Sequence, residues 1–184
     1  MFNLNEEFLS RAAADRYLDL LRKTVDWQQD TLKLFGREHR IPRLHQWYAD
    51  EGVTYRWSGL SMQACQWIEP LQDIREQLEA ATGERFNSVL VNLYRDGKDS
   101  MGWHADDEPE LGSQPTIASI SLGAERELRL RRKDDNGVTE TLSLPHGSLL
   151  LMAGNSQHEW QHSLPKRRRV KEPRINLTYR NVLI

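Results

Sequence analysis

Arg174-Ile175-Asn176-Leu177-Thr178-Tyr179-Arg180 alternates without a break between polar and apolar side chains. Residues two apart in a strand share a face. Arg174, Asn176, Thr178 and Arg180 therefore make one face, and Ile175, Leu177 and Tyr179 make the other. An apolar back with a cationic front fits a strand of a two-layer β-sandwich whose polar face lines an interior cavity. Two arginines in a cavity call for anions, because an unpaired buried charge is costly. Ser88-Val89-Leu90-Val91-Asn92-Leu93-Tyr94 repeats the pattern, with Asn92 and Tyr94 on one parity and Val91 and Leu93 on the other.

Working outward, further strands are predicted over Thr116 to Leu122, Glu127 to Arg132, Val138 to Leu144 and Ser148 to Met152. Asp134-Asp135-Asn136-Gly137 supplies a hairpin turn. The final strand is expected to run to Val182. Two helices precede the strands. One runs from about Ser10, a good N-cap, to Trp27, with Tyr17, Leu20, Leu21 and Val25 at helical spacing. The second spans about Gln66 to Thr82, with Trp67, Ile68, Leu71, Ile74, Leu78 and Ala81 as its stripe and Gly83 as its stop. Helices followed by short strands predict an α+β, mainly β fold with the helices packed on a sandwich or jelly roll.

The chain has 184 residues, the size of a single domain. No apolar run approaches a membrane span. The N-terminus lacks the basic-then-apolar pattern of a signal peptide. Cys65 is the only cysteine, so no disulfide forms within one chain and a reducing cytosol is expected. The net charge of −2 argues against a general nucleic-acid binder. The basic residues nevertheless cluster, at Arg37 to Arg43, Arg129 to Lys133 and Lys166 to Lys171, so one basic face on a neutral body is expected.

His104-Ala105-Asp106 places an imidazole and a carboxylate two residues apart, where an extended segment aims both at one point; Met101-Gly102 is read as a bend before them. Two imidazoles and one carboxylate hold non-haem Fe(II) on one face and leave the other open. The third ligand must come from a distance. His162 is the best candidate, and His158 and His146 are its rivals on chemistry alone. Arg174 and Arg180 can clamp a carboxylate through planar pairs of hydrogen bonds. Tyr94 can donate to the same carboxylate while Asn92 orients it. An open metal beside a carboxylate clamp describes an oxygen-activating enzyme with a keto-acid co-substrate.

With those residues assembled, the chain resembles the AlkB family of Fe(II)/2-oxoglutarate dioxygenases, and is especially similar to its animal duplex-DNA repair members. The resemblance runs from roughly Leu34 to the C-terminus. It rests on Asn92-x-Tyr94-x-Asp96-Gly97, His104-x-Asp106-Asp107-Glu108, Ile117 to Gly123, His146-Gly147-Ser148-Leu149-Leu150, His162-Ser163-Leu164-Pro165 and Pro173 to Arg180. It implies a double-stranded β-helix (jelly roll) in one domain over 1–184, with a nucleotide-recognition lid over about 30–65 and the catalytic jelly roll over about 86–184. By position it assigns Fe(II) to His104, Asp106 and His162 and leaves out His158 and His146. It assigns 2-oxoglutarate to Asn92, Tyr94, Arg174, Asn176 and Arg180, with O2 as the other co-substrate. Trp57, Trp103 and Ala105 depart from the animal pattern.

The resemblance also suggests how a base is chosen. Tyr55 and Trp57 in Thr54-Tyr55-Arg56-Trp57-Ser58-Gly59 match a base-holding hairpin, and base stacking contributes roughly 1–3 kcal/mol. Phe35 matches an apolar finger that fills the gap left by an extruded base. Arg43 belongs to a segment that reaches DNA. Arg167, Arg168 and Arg169, just past His162, are placed to hold phosphates. Asp107 and Glu108 are expected to favour cationic bases such as 1-methyladenine and 3-methylcytosine. The implied activity is oxidative dealkylation of such bases in DNA, with RNA, or a protein or small molecule, as the alternative substrate. The expected protein is a monomer without membrane partners, cytoplasmic or nucleoid-associated in a bacterium and nuclear in a eukaryote.

Overall fold

The computed structural model describes residues 1–34, 37–57, 60–62, 64–135, 137 and 139–183, with backbone alone at 32–34, 37, 55–57 and 60–62. The elements run β1 (Phe2–Asn5), α1 (Arg11–Thr24), β2 (Thr31–Leu34), β3 (Arg37–Arg40), β4 (Leu44–Ala49), β5 (Tyr55–Trp57), β6 (Leu60–Met62) and α2 (Glu69–Thr82). They continue with β7 (Ser88–Tyr94), β8 (Met101–His104), β9 (Ile117–Gly123), β10 (Arg126–Arg132), β11 (Thr139–Leu144), β12 (Leu149–Met152), α3 (Ser156–Glu159), β13 (Trp160–Leu164) and β14 (Arg174–Arg180).

Two antiparallel sheets face each other. The larger has the order β1-β12-β9-β14-β7-β4 and the smaller β11-β10-β13-β8. The alternation in β14 is the reason for this layering. Ile175, Leu177 and Tyr179 join Val89, Val91, Ala118, Ile120 and Leu122 under the helices, against Tyr17, Leu21, Leu71, Ile74 and Leu78. On the opposite face Leu90, Tyr94, Ile117, Leu150 and Met152 meet Leu128, Leu130, Leu144 and Leu164 of the smaller sheet. Residues 44–49, within the 30–65 stretch, are the edge strand of the larger sheet, whereas β2–β3 and β5–β6 form separate hairpins.

The helices are shorter than expected. Ser10 caps α1, its Oγ accepting from the N–H of Ala13 at 3.3 Å. The second helix begins at Glu69 rather than Gln66, with Pro70 in its first turn, where the missing N–H costs no helical bond. Trp67 instead lies ahead of the helix: its indole donates to Asp50 at 2.7 Å and its ring stacks on Tyr179. Gly83, at φ +73°, ends the helix in the left-handed region. Leu20 and Ala81 fall on the solvent side of their helices. Met101-Gly102 is not a bend but the start of a strand, and β14 ends at Arg180 rather than Val182.

Candidate active site

Cross-strand register assembles the site. In the larger sheet Arg174 lies opposite Tyr94, and Asn176 is flanked by Asn92 and Ser121. In the smaller sheet His162 of β13 lies opposite His104 of β8, with ring centroids 4.2 Å apart. Asp106 follows two residues beyond β8. One ligand atom from each of His104, Asp106 and His162 lies within 4.8 Å of the others, the one such group among the described residues. The remaining cavity wall includes Leu90, Met101, Leu128, Met152 and Leu164.

The electrostatics suit a divalent metal. Nδ1 of His104 bonds the carbonyl of Gly102 at 2.9 Å; as the donor there, it leaves Nε2 as the lone-pair nitrogen. Burial pushes the His162 imidazole down to about 3, helped by His104 and opposed by Asp106, so it is neutral and ready to coordinate. Burial also lowers His104, with Asp106 opposing. Burial alone would raise the Asp106 carboxyl, but Arg180, 2.9 Å away, and the two imidazoles hold it at about 2. The site thus offers two neutral imidazoles and an ionised carboxylate.

Beside it stands an anion receptor. Arg174 is buried, with pKa lowered by burial to about 10. One of its terminal nitrogens donates to Ser121 Oγ at 2.8 Å, but its buried Nε has no hydrogen-bond partner. Such an atom asks for an acceptor, and a carboxylate supplies one. Asn176 donates to Ser119 Oγ at 2.8 Å and accepts from Thr178 Oγ1 at 3.0 Å.

His146 and His158 stand elsewhere. His146 accepts from the N–H of Gly123 and contacts Asp15, tying α1 to the sheet. His158 is exposed and contacts the carbonyl of Ser113. Arg43 does not lie at the protein surface. It is 3% exposed and donates to Asn92 Oδ1 at 2.8 Å, inside the protein. Asp107 is paired with Lys133 at 2.7 Å, and Glu108 is half-buried. Arg167 pairs with Glu127, whereas Arg168 and Arg169 are exposed. With Arg132 also paired to Asp134, the expected basic face is in part neutralised. Phe35 lies outside the described residues. Tyr55 and Trp57 form a hairpin strand by backbone, their side chains outside the described part. Trp103 stacks on Arg131 and does not line the cavity.

The sequence reading missed Arg126. Its guanidinium, 2% exposed, donates to the carbonyls of Asp96, Asp99 and Pro165. It joins the turn before β8 to the chain just past His162. Gly97 lets the same turn touch the basic segment: a Cβ there would lie 1.7 Å from the Arg167 carbonyl. Ser119 and Ser121 were also missed, although their alternation with Ala118, Ile120 and Leu122 is a period-two signal in plain view.

The model of the 2OG-Fe(II) oxygenase superfamily matches residues 2–180. The chain belongs to that superfamily. Its relatives within it are AlkB proteins, and it is a member of the AlkB family. It is 41% identical over 184 residues to the human DNA oxidative demethylase ALKBH2, covering 95% of this chain and 70% of that protein. Identity is also 41% to the human alpha-ketoglutarate-dependent dioxygenase alkB homolog 3, with 95% and 64% covered. The Arabidopsis thaliana DNA oxidative demethylase ALKBH2 is 36% identical, with 97% and 65% covered. In fold, the chain is similar to the solved structure of OsALKBH1, at a TM-score of 0.67 and 17% identity over 98% of this chain and 97% of that one. Family membership brings Fe(II), 2-oxoglutarate and O2 with it, and the donor set and the orphaned Arg174 Nε fit the first two.

Proposed function

We propose that this protein removes alkyl groups oxidatively from the ring nitrogens of DNA bases such as 1-methyladenine and 3-methylcytosine. The observation that carries the reading is the His104–Asp106–His162 cluster paired to Arg180 in a cavity that Arg174 also lines, in a chain 41% identical to a DNA oxidative demethylase. Bound Fe(II) with 2-oxoglutarate and O2 would supply the oxidation: an N-methyl carbon would be hydroxylated and lost as formaldehyde when its C–N bond breaks and the hydroxyl proton returns to the base, while 2-oxoglutarate would become succinate and CO2.

The chain's own residues do the rest. His104, Asp106 and His162 hold the metal, and the low pKa of His162 means no proton need leave it first. Arg174, Arg180, Asn92, Tyr94 and Asn176 receive and orient 2-oxoglutarate. Arg180 serves twice, because it also keeps Asp106 ionised. The apolar cavity wall limits water around the oxidation. Tyr55 and Trp57 hold the extruded base, Phe35 fills its place, and Arg168 and Arg169 contact phosphates. Arg43 acts from inside, through Asn92. The 30–65 stretch is the lid of a single domain, which works as a monomer wherever the DNA is kept.

The test is mass spectrometry of 1-methyladenine and 3-methylcytosine oligonucleotides incubated with the protein, Fe(II) and 2-oxoglutarate, in DNA and RNA, single and paired. Repair with stoichiometric formaldehyde and succinate is expected. His104→Ala and Asp106→Ala are expected to abolish both products, and activity in either iron-loaded variant contradicts the assignment.

A further inference from the structure

We propose that Gln157, braced by Lys133, is the strut that fixes Asp106 relative to His162. The inference rests on His104, Asp106 and His162 being the metal ligands.

Asp106 lies outside any strand, so no ladder holds its backbone. It is 2% exposed, so its N–H cannot turn to water. That N–H donates instead to the Oε1 of Gln157 at 2.9 Å. Gln157 is itself fully buried. Its Nε2 donates to Ser156 Oγ at 3.1 Å, which leaves the amide oxygen for Asp106. Gln157 sits in α3, the short turn that runs directly into β13 and His162. The element that delivers the distal histidine therefore also holds the carboxylate ligand.

Lys133, just past β10, locks this turn from outside. Its ammonium donates to the Gln157 carbonyl at 2.8 Å and to Asp107 Oδ2 at 2.7 Å. Its own N–H donates to the Glu159 carbonyl at 2.8 Å. The end of β10, α3 and the segment carrying Asp106 and Asp107 thus form one hydrogen-bonded unit. Groups that orient metal ligands in this way typically change metal affinity 10–100-fold when removed. Gln157 and Lys133 are positioning residues, since neither belongs to the ligand cluster.

Titration calorimetry of the metal-free protein with Co(II) tests the strut, with the visible absorption of bound Co(II) as a second readout. Gln157→Leu removes the acceptor and is expected to weaken Co(II) about 10–100-fold and to alter its spectrum. Gln157→Glu, which keeps an oxygen in place, is expected to stay within about threefold. Lys133→Met, a change at a partly exposed side chain, is expected to weaken Co(II) about threefold or more. Leu78→Ala, in the helical layer away from the site, lowers the unfolding midpoint without changing Co(II) affinity, which separates positioning from loss of fold. Wild-type affinity in Gln157→Leu overturns the proposal; should that variant not fold, wild-type affinity in Lys133→Met does so. Undiminished Co(II) binding by His104→Ala overturns the metal-site assignment and the strut with it, whereas loss there with Gln157→Leu unchanged overturns the strut alone.

Discussion

Arg180→Met exposes what the buried ion pair with Asp106 contributes. Both side chains are about 95% or more removed from solvent, and the charges meet at 2.9 Å. The Asp106 carboxyl lies at about 2 against an ordinary 3.8, a difference that corresponds to about 2.5 kcal/mol. Met keeps much of the side-chain volume but strands the carboxylate in the interior. The loss is then that of a broken buried pair, about 3–5 kcal/mol. With a urea m-value of about 2 kcal/mol/M, the unfolding midpoint of the metal-free protein at pH 7 falls by about 1.5–2.5 M. The sign with pH is fixed. A depressed carboxyl contributes stability above 3.8 and loses it as pH falls through about 2. In the variant, burial without Arg180 raises that carboxyl, so its deficit is largest at neutral pH and shrinks on acidification. Asp106→Asn added to Arg180→Met removes the stranded charge and is expected to recover part of the loss. A deficit under about 1 kcal/mol at pH 7, or one that does not shrink by pH 4.5, refutes the reasoning.

Arg174→Lys keeps the charge but not the fork, and is expected to raise the KM for 2-oxoglutarate about tenfold or more, as steady-state assays with succinate as the readout will test. Arg168→Ala and Arg169→Ala are each expected to lower the slope of log K against log salt for DNA binding by about 1, without altering lesion preference. Tyr48, raised by burial to about 12, and Tyr179, raised well above its ordinary value, stay protonated in the fold. Their contribution is complete below pH 10 and is lost as pH rises toward 12, so tyrosinate absorbance and loss of circular dichroism are expected to rise together in that range.

Strands whose two faces differ were legible in the sequence. Ser88–Tyr94 and Arg174–Arg180 alternate because one side meets the helices and the other the cavity, and both boundaries on β7 fall where the pattern ends. The His104–Asp106–His162 cluster was legible because two of its members are near neighbours in sequence and the third lies in a recognisable run. β4 and β13 were not foreseen: Leu44–Ala49 is buried on both faces and lacks alternation, and Trp160–Leu164 mixes residue types. Nor could spacing announce Gln157 or Arg126, whose partners are backbone groups far off in sequence. The burial of Arg43 was not legible, because a basic cluster reads as surface, whereas this guanidinium turns inward to an amide.

β7 and β9 are not hydrogen-bonded to each other; each pairs with β14, which is made long after both. Until that late segment arrives, the newborn chain carries two bare strand edges rich in valine and isoleucine, the kind of surface that invites aggregation. Closure of the larger sheet is thus a step of high contact order, and slow refolding is its expected mark. The same step delivers Arg174 and Arg180, so a partly finished chain lacks both guanidinium groups of the proposed keto-acid receptor before its architecture is complete.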